Sequence, residues 1–260
     1  MQRHFMKRNV FSLAILISSL AGGGNIAMAE EPSVARMVFF NAKPGSKAPL
    51  EEVIKRHISL RREETNQWRL LTWEYASGEV PRYCVATFGH AWGDFDYSST
   101  NVQVEVAVDA ATLLTTAPPV VQYFDHLEEV SEFGTQTNTP TLVEISIFQL
   151  HFGKTSQFYA ALREFHDALS RGARVNRYEW FELRSGGDLP QFMLMLPRTN
   201  WEAVDTGADL LLDRLGEALG KKHAARLFEQ FTSAVKSHQR TMARLRPDLS
   251  LRPTRKASDP

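Results

Sequence analysis

Residues 81–96, PRYCVATFGHAWGDFD, return at 190–205 as PQFMLMLPRTNWEAVD, with Pro81/Pro190, Trp92/Trp201 and Asp96/Asp205 in register. The echo extends upstream: MVFFNAKPGSKAPLEEVIKRHI around Gly45 corresponds to ISIFQLHFGKTSQFYAALREFH around Gly153, 108 positions later. Glu74/Glu182 and Ser77-Gly78/Ser185-Gly186 keep that spacing, and one residue inserted before Pro190 moves it to 109. Solenoid repeats run at roughly 20–50 residues, so a period this long is a duplicated domain. The 260 residues must therefore fold into two copies of one unit.

Each copy reads in the same order. ARMVFFNA and LVEISIFQL are β-rich runs closed by KPG and HFG. Helical spacing follows in Leu50, Val53, Ile54, His57 and Ile58, and again in Phe158, Ala161, Leu162, Phe165 and Leu169. WRLLTWEYA and NRYEWFELR are second strands; RYCVATF and QFMLMLP are third strands. Helices are expected within PPVVQYFDHLEEVSEF (118–133) and AARLFEQFTSAVKSHQ (224–239). Closing strands are expected at RTMARLR and, more faintly, at EFGTQT. The order β-α-β-β-α-β is the ferredoxin-like unit, and it occurs twice.

The third strands are apolar on both faces: Tyr83 and Val85 on one, Cys84, Ala86 and Phe88 on the other. The helices of a unit cover only one sheet face. The duplicate is the natural cover for the second, which predicts an α+β fold of two ferredoxin-like repeats packed sheet to sheet. The expected divisions are a signal peptide at 1–29, repeats at 30–139 and 140–250 joined near TQTNTPT, and a disordered tail at 251–260.

The first 29 residues join a basic MQRHFMKRN to the apolar VFSLAILISSL and the A-x-A site Ala27-Met28-Ala29. The apolar stretch is about half of the roughly 20 residues a membrane span needs. Cleavage near Ala29 and a periplasmic or secreted location are expected, with no membrane attachment afterwards. Acidic and basic residues balance at 30 each, and removing Arg3, Lys7 and Arg8 leaves 27 basic against 30 acidic. That balance argues against a nucleic-acid partner. Cys84 is the single cysteine; its apolar strand marks it as a buried small hydrophobe.

KPG after strand one, the amphipathic helix, WEYASG, and the Pro…Trp…Asp strand-turn together resemble the dimeric α/β-barrel superfamily in its tandem, exported form, over roughly 35–250. The resemblance implies an intrachain dimeric α/β barrel with a ligand cavity between helices and sheet. It also implies a small-molecule ligand. Members include cofactor-free quinol-type monooxygenases, haem-degrading enzymes, haem-dependent chlorite dismutases and peroxidases, small isomerases and stress-linked proteins. No cofactor and haem are both compatible with that range, homo-oligomerisation is left open, and fold does not choose the activity.

No G-x-S-x-G, H-E-x-x-H, Walker or dinucleotide motif is present, and no metal site is expected. Candidate residues are polar groups set within apolar patterns. His57 and His166 lie on the first helices near the apolar face, as haem ligand, general base or structural histidine. They do not correspond: His57 matches Phe165 and His166 matches Ile58. Asn41 and Gln149 do correspond, each ending strand one, either at a pocket mouth or capping a turn. The second half carries Tyr178 and Trp180 where the first has Leu70 and Thr72. It is therefore the expected bearer of the site, with His166 and Gln149 as reactive groups and Tyr178, Trp180, His57 and Asn41 as ligand-binding residues, suited to a flat aromatic or quinone-like molecule. An exported small-molecule oxidoreductase and a non-catalytic binding or scaffold protein remain the two functional expectations. Glu74 and Glu182 read as charges protecting a sheet edge, Trp92 and Trp201 as packing anchors, and Asp125, His126, Glu128 and Glu129 as one solvated helical run.

Overall fold

The computed structural model describes residues 33–63, 68–76, 78, 80–96, 110–132, 140–171, 177–204 and 208–251. The expected signal peptide, residues 135–139 of the expected linker and the tail beyond Leu251 lie outside them. The first half contains β1 (Val34–Asn41), α1 (Lys47–Glu63), β2 (Leu71–Tyr75), β3 (Arg82–His90) and β4 (Val120–His126). The second contains β5 (Leu142–Leu150), α2 (Thr155–Ser170), β6 (Glu179–Ser185), β7 (Gln191–Arg198), α3 (Ala208–Leu219), α4 (Lys221–Ala234) and β8 (Val235–Leu245). Gly45 and Gly153, at φ of 78° and 76°, make the same turn into α1 and α2, a conformation that favours glycine.

The eight strands close into a barrel in the circular order β1-β3-β2-β8-β5-β7-β6-β4. Each half contributes the ferredoxin-like order, β4-β1-β3-β2 and β8-β5-β7-β6. Two antiparallel ladders join the halves: β2 to β8, with Trp73 opposite Leu245, and β4 to β6, with Phe124 opposite Leu183. Both sheet edges of each half are thereby paired by the other.

Alternation along the strands separates two apolar layers. Met37, Phe39, Trp73, Tyr75, Cys84 and Ala86 point into the barrel and meet Ile145, Phe181, Leu183, Met193, Met195 and Ala243. On the outside, Leu50, Ile54 and Ile58 of α1 pack on Tyr83 and Val85. Phe158 and Leu162 of α2 and Phe231 of α4 pack on Phe148, Trp180 and Phe192. The two apolar faces of the third strands are these two layers.

Several local expectations are corrected. Residues 120–126, expected as helix, form β4; the spacing of Val120, Tyr123 and Phe124 fits either period over so short a run, and β-branched and aromatic composition after Pro118-Pro119 decides for strand. Asp125 and His126 consequently sit on opposite faces of a strand rather than on one helix face. The helix expected to reach Gln239 ends at Ala234, and β8 starts at Val235, well before the expected RTMARLR. Leu251, expected to begin a disordered tail, is 1% exposed and bridges to Leu70. Glu74 and Glu182 do not guard a free edge: Glu74 accepts from Lys47 and Arg246, and Glu182 lies opposite Asp125 with Arg184 between them. Trp92, expected with Trp201 as a packing anchor, packs on Tyr123 and Phe95 while 41% exposed, whereas Trp201 is 51% exposed.

Candidate functional site

β8 runs further than its neighbour. β5 pairs with it from Val235 to Arg244, whereas β2 pairs only from Ala243 to Leu245 among the described residues. Where β2 turns away, the barrel wall opens into a cavity of ≈ 260 Å³. Its lining comes from five consecutive strands: Asn41 at the end of β1, Arg82 at the start of β3, Tyr75 at the end of β2, Gln239, Arg240 and Thr241 on β8, and Ile147 on β5. Asn41 and Arg82 are direct cross-strand partners.

Arg82 dominates the electrostatics. Its guanidinium carbon lies 4.9 Å from the Phe39 ring centroid and 4.7 Å from that of Tyr75. Such contacts hold a planar cation flat on an aromatic surface for roughly 0.5–2 kcal/mol. Its buried Nε has no hydrogen-bond partner, and no carboxylate lines the cavity among the described residues. Deeper on the same face of β2, Trp73 is 3% exposed and its Nε1 also lacks an acceptor. Buried donors left unsatisfied cost about 1–3 kcal/mol each, so this mouth is a poor place for a structural cation and a suitable one for a ligand carrying oxygen acceptors.

The neighbouring groups stay protonated. Burial pushes the Cys84 thiol up to about 12 against the opposing pull of Arg82. Burial also holds the Tyr75 phenol far above its ordinary range, reinforced by Cys84 and countered by Arg82. Arg240 lies 3.5 Å from the Glu144 carboxylate. The cavity therefore offers donors and positive charge, and among the described lining residues no imidazole or carboxylate that would accept a proton.

The expected site residues scatter. Asn41 lines the cavity. Gln149 ends β5 on the inward face and donates to the Pro190 carbonyl at 3.0 Å, which is the turn-capping arrangement. His166 and Tyr178 are brought together, Nδ1 and Oη 2.9 Å apart, but outside the barrel in the helix–sheet layer. Trp180 lies in that layer, packed against Phe148 and Phe158. His57 is half-buried on α1. The cavity thus draws Arg82 and its aromatic surface from the first half, and Ile147, Gln239, Arg240 and Thr241 from the second. Arg82, Tyr75 and Gln239 escaped the sequence reading; the available signal was a lone arginine heading an apolar strand, with glutamine (Gln191) at its counterpart in the duplicate.

A haem does not fit here. A cavity of ≈ 260 Å³ is small for a tetrapyrrole, its lining offers no histidine among the described residues, and burial keeps Cys84 and Tyr75 protonated. His166 already engages Tyr178 and Ser170 over a filled aromatic layer.

No family model and no curated protein matches the sequence. Solved structures do match. A "putative monooxygenase" from Fusobacterium nucleatum superposes with a TM-score of 0.57 at 7% identity, covering 83% of this chain and 93% of that one. An anthrone oxidase-like protein gives 0.55 at 9% identity, with 84% and 92% covered. A second protein of the first description, from Lactobacillus acidophilus, gives 0.50 at 10% identity, with 85% and 96% covered. The fold is the dimeric α/β barrel. At these identities the likeness is one of fold, and the cavity must speak for the chemistry.

Proposed function

We propose that this protein takes a flat, aromatic or quinone-like small molecule into the barrel mouth and acts on it as a cofactor-free oxidoreductase. The observation that carries the reading is the convergence of Tyr75 with the polar groups of Asn41, Arg82 and Gln239 at one cavity, with Arg82 seated on the Tyr75 and Phe39 rings. Apolar walls with a few directed polar groups are the usual form of a small-molecule site. The monooxygenase and anthrone oxidase-like descriptions of proteins with this fold support the reaction class. The step would convert an activated ring CH2 to C=O. Dioxygen supplies the oxygen that is kept and accepts four electrons, and its second atom leaves as water with the two hydrogens. The chain's part is to orient the ring and stabilise negative charge beside Arg82.

A second reading, binding without turnover, is favoured by one feature: the described lining has no side chain to take the substrate proton. Anthrone and 1,4-naphthoquinone binding, followed through the fluorescence of buried Trp73 and its fellows, together with oxygen uptake on anthrone, separates the readings. Binding with uptake supports the oxidoreductase; binding without uptake leaves a carrier; no binding removes both.

Export is proposed as well, on the A-x-A site at Ala27–Ala29. N-terminal sequencing of the processed protein should begin at Glu30; an intact Met1 in the membrane fraction would refute it.

A further inference from the structure

Building on that reading of the barrel mouth, we infer that the ligand binds as an anion, through an ionised oxygen such as a phenolate or enolate directed at Arg82. Among the described residues Arg82 is a cation without a counter-charge: no ion pair is formed by it, its Nε lacks an acceptor, and its electrostatic company is the two rings beneath it. Arg240, the other cation of the lining, differs: it lies 3.5 Å from the Glu144 carboxylate, which Arg198 also binds. The donors around Arg82 point the same way. Asn41 sits directly across the ladder, Gln239 faces from β8, and the Trp73 indole N–H below is unsatisfied. A neutral quinone would satisfy hydrogen bonds but leave the cation uncompensated; an ionised oxygen satisfies both.

The duplicate supplies an internal control. At the equivalent positions of the second half, Arg82, Phe39, Tyr75 and Asn41 become Gln191, Ile147, Leu183 and Gln149. Cation, aromatic seat and facing amide change together, and there Gln149 is spent on the Pro190 carbonyl. The cation without a carboxylate among the described residues comes with the aromatic seat, from the first half's side of the cavity.

The inference also removes the need for a protein base. A hydroxyquinone or acidic phenol gives its proton to water, and Arg82 stabilises the anion that remains, lowering the ligand's own pKa on binding. The full-length mature chain is titrated with 2-hydroxy-1,4-naphthoquinone, ionised near neutral pH, and with 1,4-naphthoquinone, which has no acidic proton. The ionised probe should bind about tenfold or more tightly. Its affinity should fall with added salt and as pH drops through the probe's own titration, while the neutral probe stays flat. Arg82→Gln should erase the preference and Arg82→Lys should retain part of it. Equal affinity for both probes in the unaltered protein, or a preference surviving Arg82→Gln, overturns the anion assignment while leaving the cavity reading intact. Failure of both probes to bind removes the cavity reading itself. The salt and pH measurements need no variant, so a misfolded Arg82→Gln protein does not shelter the inference.

Discussion

Two arginines inside this molecule make opposite bargains. Arg198 donates to the buried Glu144 at 2.9 and 2.5 Å, and Glu144 is 3% exposed. Removing one member of such a pair strands the other, at about 3–5 kcal/mol. Glu144→Ala should therefore lower the denaturation midpoint sharply without changing the slope, and Glu144→Leu with Arg198→Leu should recover most of the loss. Arg82 has no such partner. Arg82→Met keeps contact with Phe39 and Tyr75 and deletes an unsatisfied donor, so the melting temperature should hold or rise while anionic ligands are lost. A fall of more than about 2 kcal/mol would make Arg82 a structural plug. The residue scale was also where the sequence was least legible. Asn41 could be found because Gln149 repeats it, whereas Arg82 is informative only as a departure from its counterpart Gln191 and as a cation lacking an acid, which needs three dimensions.

Among the elements, the strands and first helices were legible because both copies carry them in the same period; β5 is LVEISIFQL to the residue. The segments following β4 and β8 were not legible, because their order depends on the other half. After β4, a 3-10 turn at Glu128–Val130 buries Val130 against the second half's helix layer, and Glu132 bridges to Tyr178. After β8, a turn at Pro247–Leu249 buries Leu249 against the first half's layer, and Leu251 bridges to Leu70. The serines repeat too. Ser131 Oγ donates to Leu127 and accepts from the Trp180 amide at 2.8 Å; Ser250 Oγ donates to Arg246 and accepts from the Thr72 amide at 2.9 Å. Each half thus pins the other's strand two. Ser131→Ala and Ser250→Ala should each cost about 1–3 kcal/mol by leaving a buried amide unmet. Sharing no partner, they should add to within about 0.5 kcal/mol in the double variant. A silent pair would show that the turns merely rest on the barrel.

At the scale of the whole molecule, acid should act on the seam between halves. Arg246, at the end of β8, binds Glu51 of α1, Glu74 of β2 and Asp248. The hydrogen bond from Arg246 holds the Glu51 carboxyl below its ordinary value; Glu74 is lowered by Lys47 and Arg246 against its burial. Carboxylates depressed in the folded state stabilise it above their unfolded values, near 4.3, and that stability is lost as pH falls through the lower folded ones. His126, His90 and His238 are lowered chiefly by burial, so they add an earlier loss beginning near the unfolded histidine value of about 6.5. Glu182, raised by burial, works the other way between its raised folded value and the unfolded one near 4.3, where it favours the folded state as pH falls. Stability measured against pH should thus decline in two stages, below about 6.5 and again below about 4.3. Arg246→Met should flatten the second stage and leave the first.

The same seam decides whether either half can exist alone. A fragment of residues 30–139 would expose β2 and β4 as open edges, bare the inward face carrying Met37, Phe39, Trp73 and Tyr75, and lack the Leu249–Leu251 cover over α1. A fragment of 140–251 would expose β6 and β8 and lose Val130 from its helix layer. Apolar faces of that extent drive association. Because the halves share one topology, the edge that β2 offers to β8 can also be met by β4 of a second copy, so each fragment should form a homodimer or aggregate. Mixing should favour the heterodimer, since only it restores the Ser131–Trp180 and Ser250–Thr72 contacts and the Arg246 network together. Sedimentation of each fragment and of the mixture, with Cys84 accessibility as a local probe, provides the check. In the restored barrel the buried, protonated thiol should resist alkylation as it does in the intact chain. Two stable monomeric fragments, each with its inner face exposed to water, would show that the duplicated sequence does not need its second copy and would overturn this account of why it is repeated.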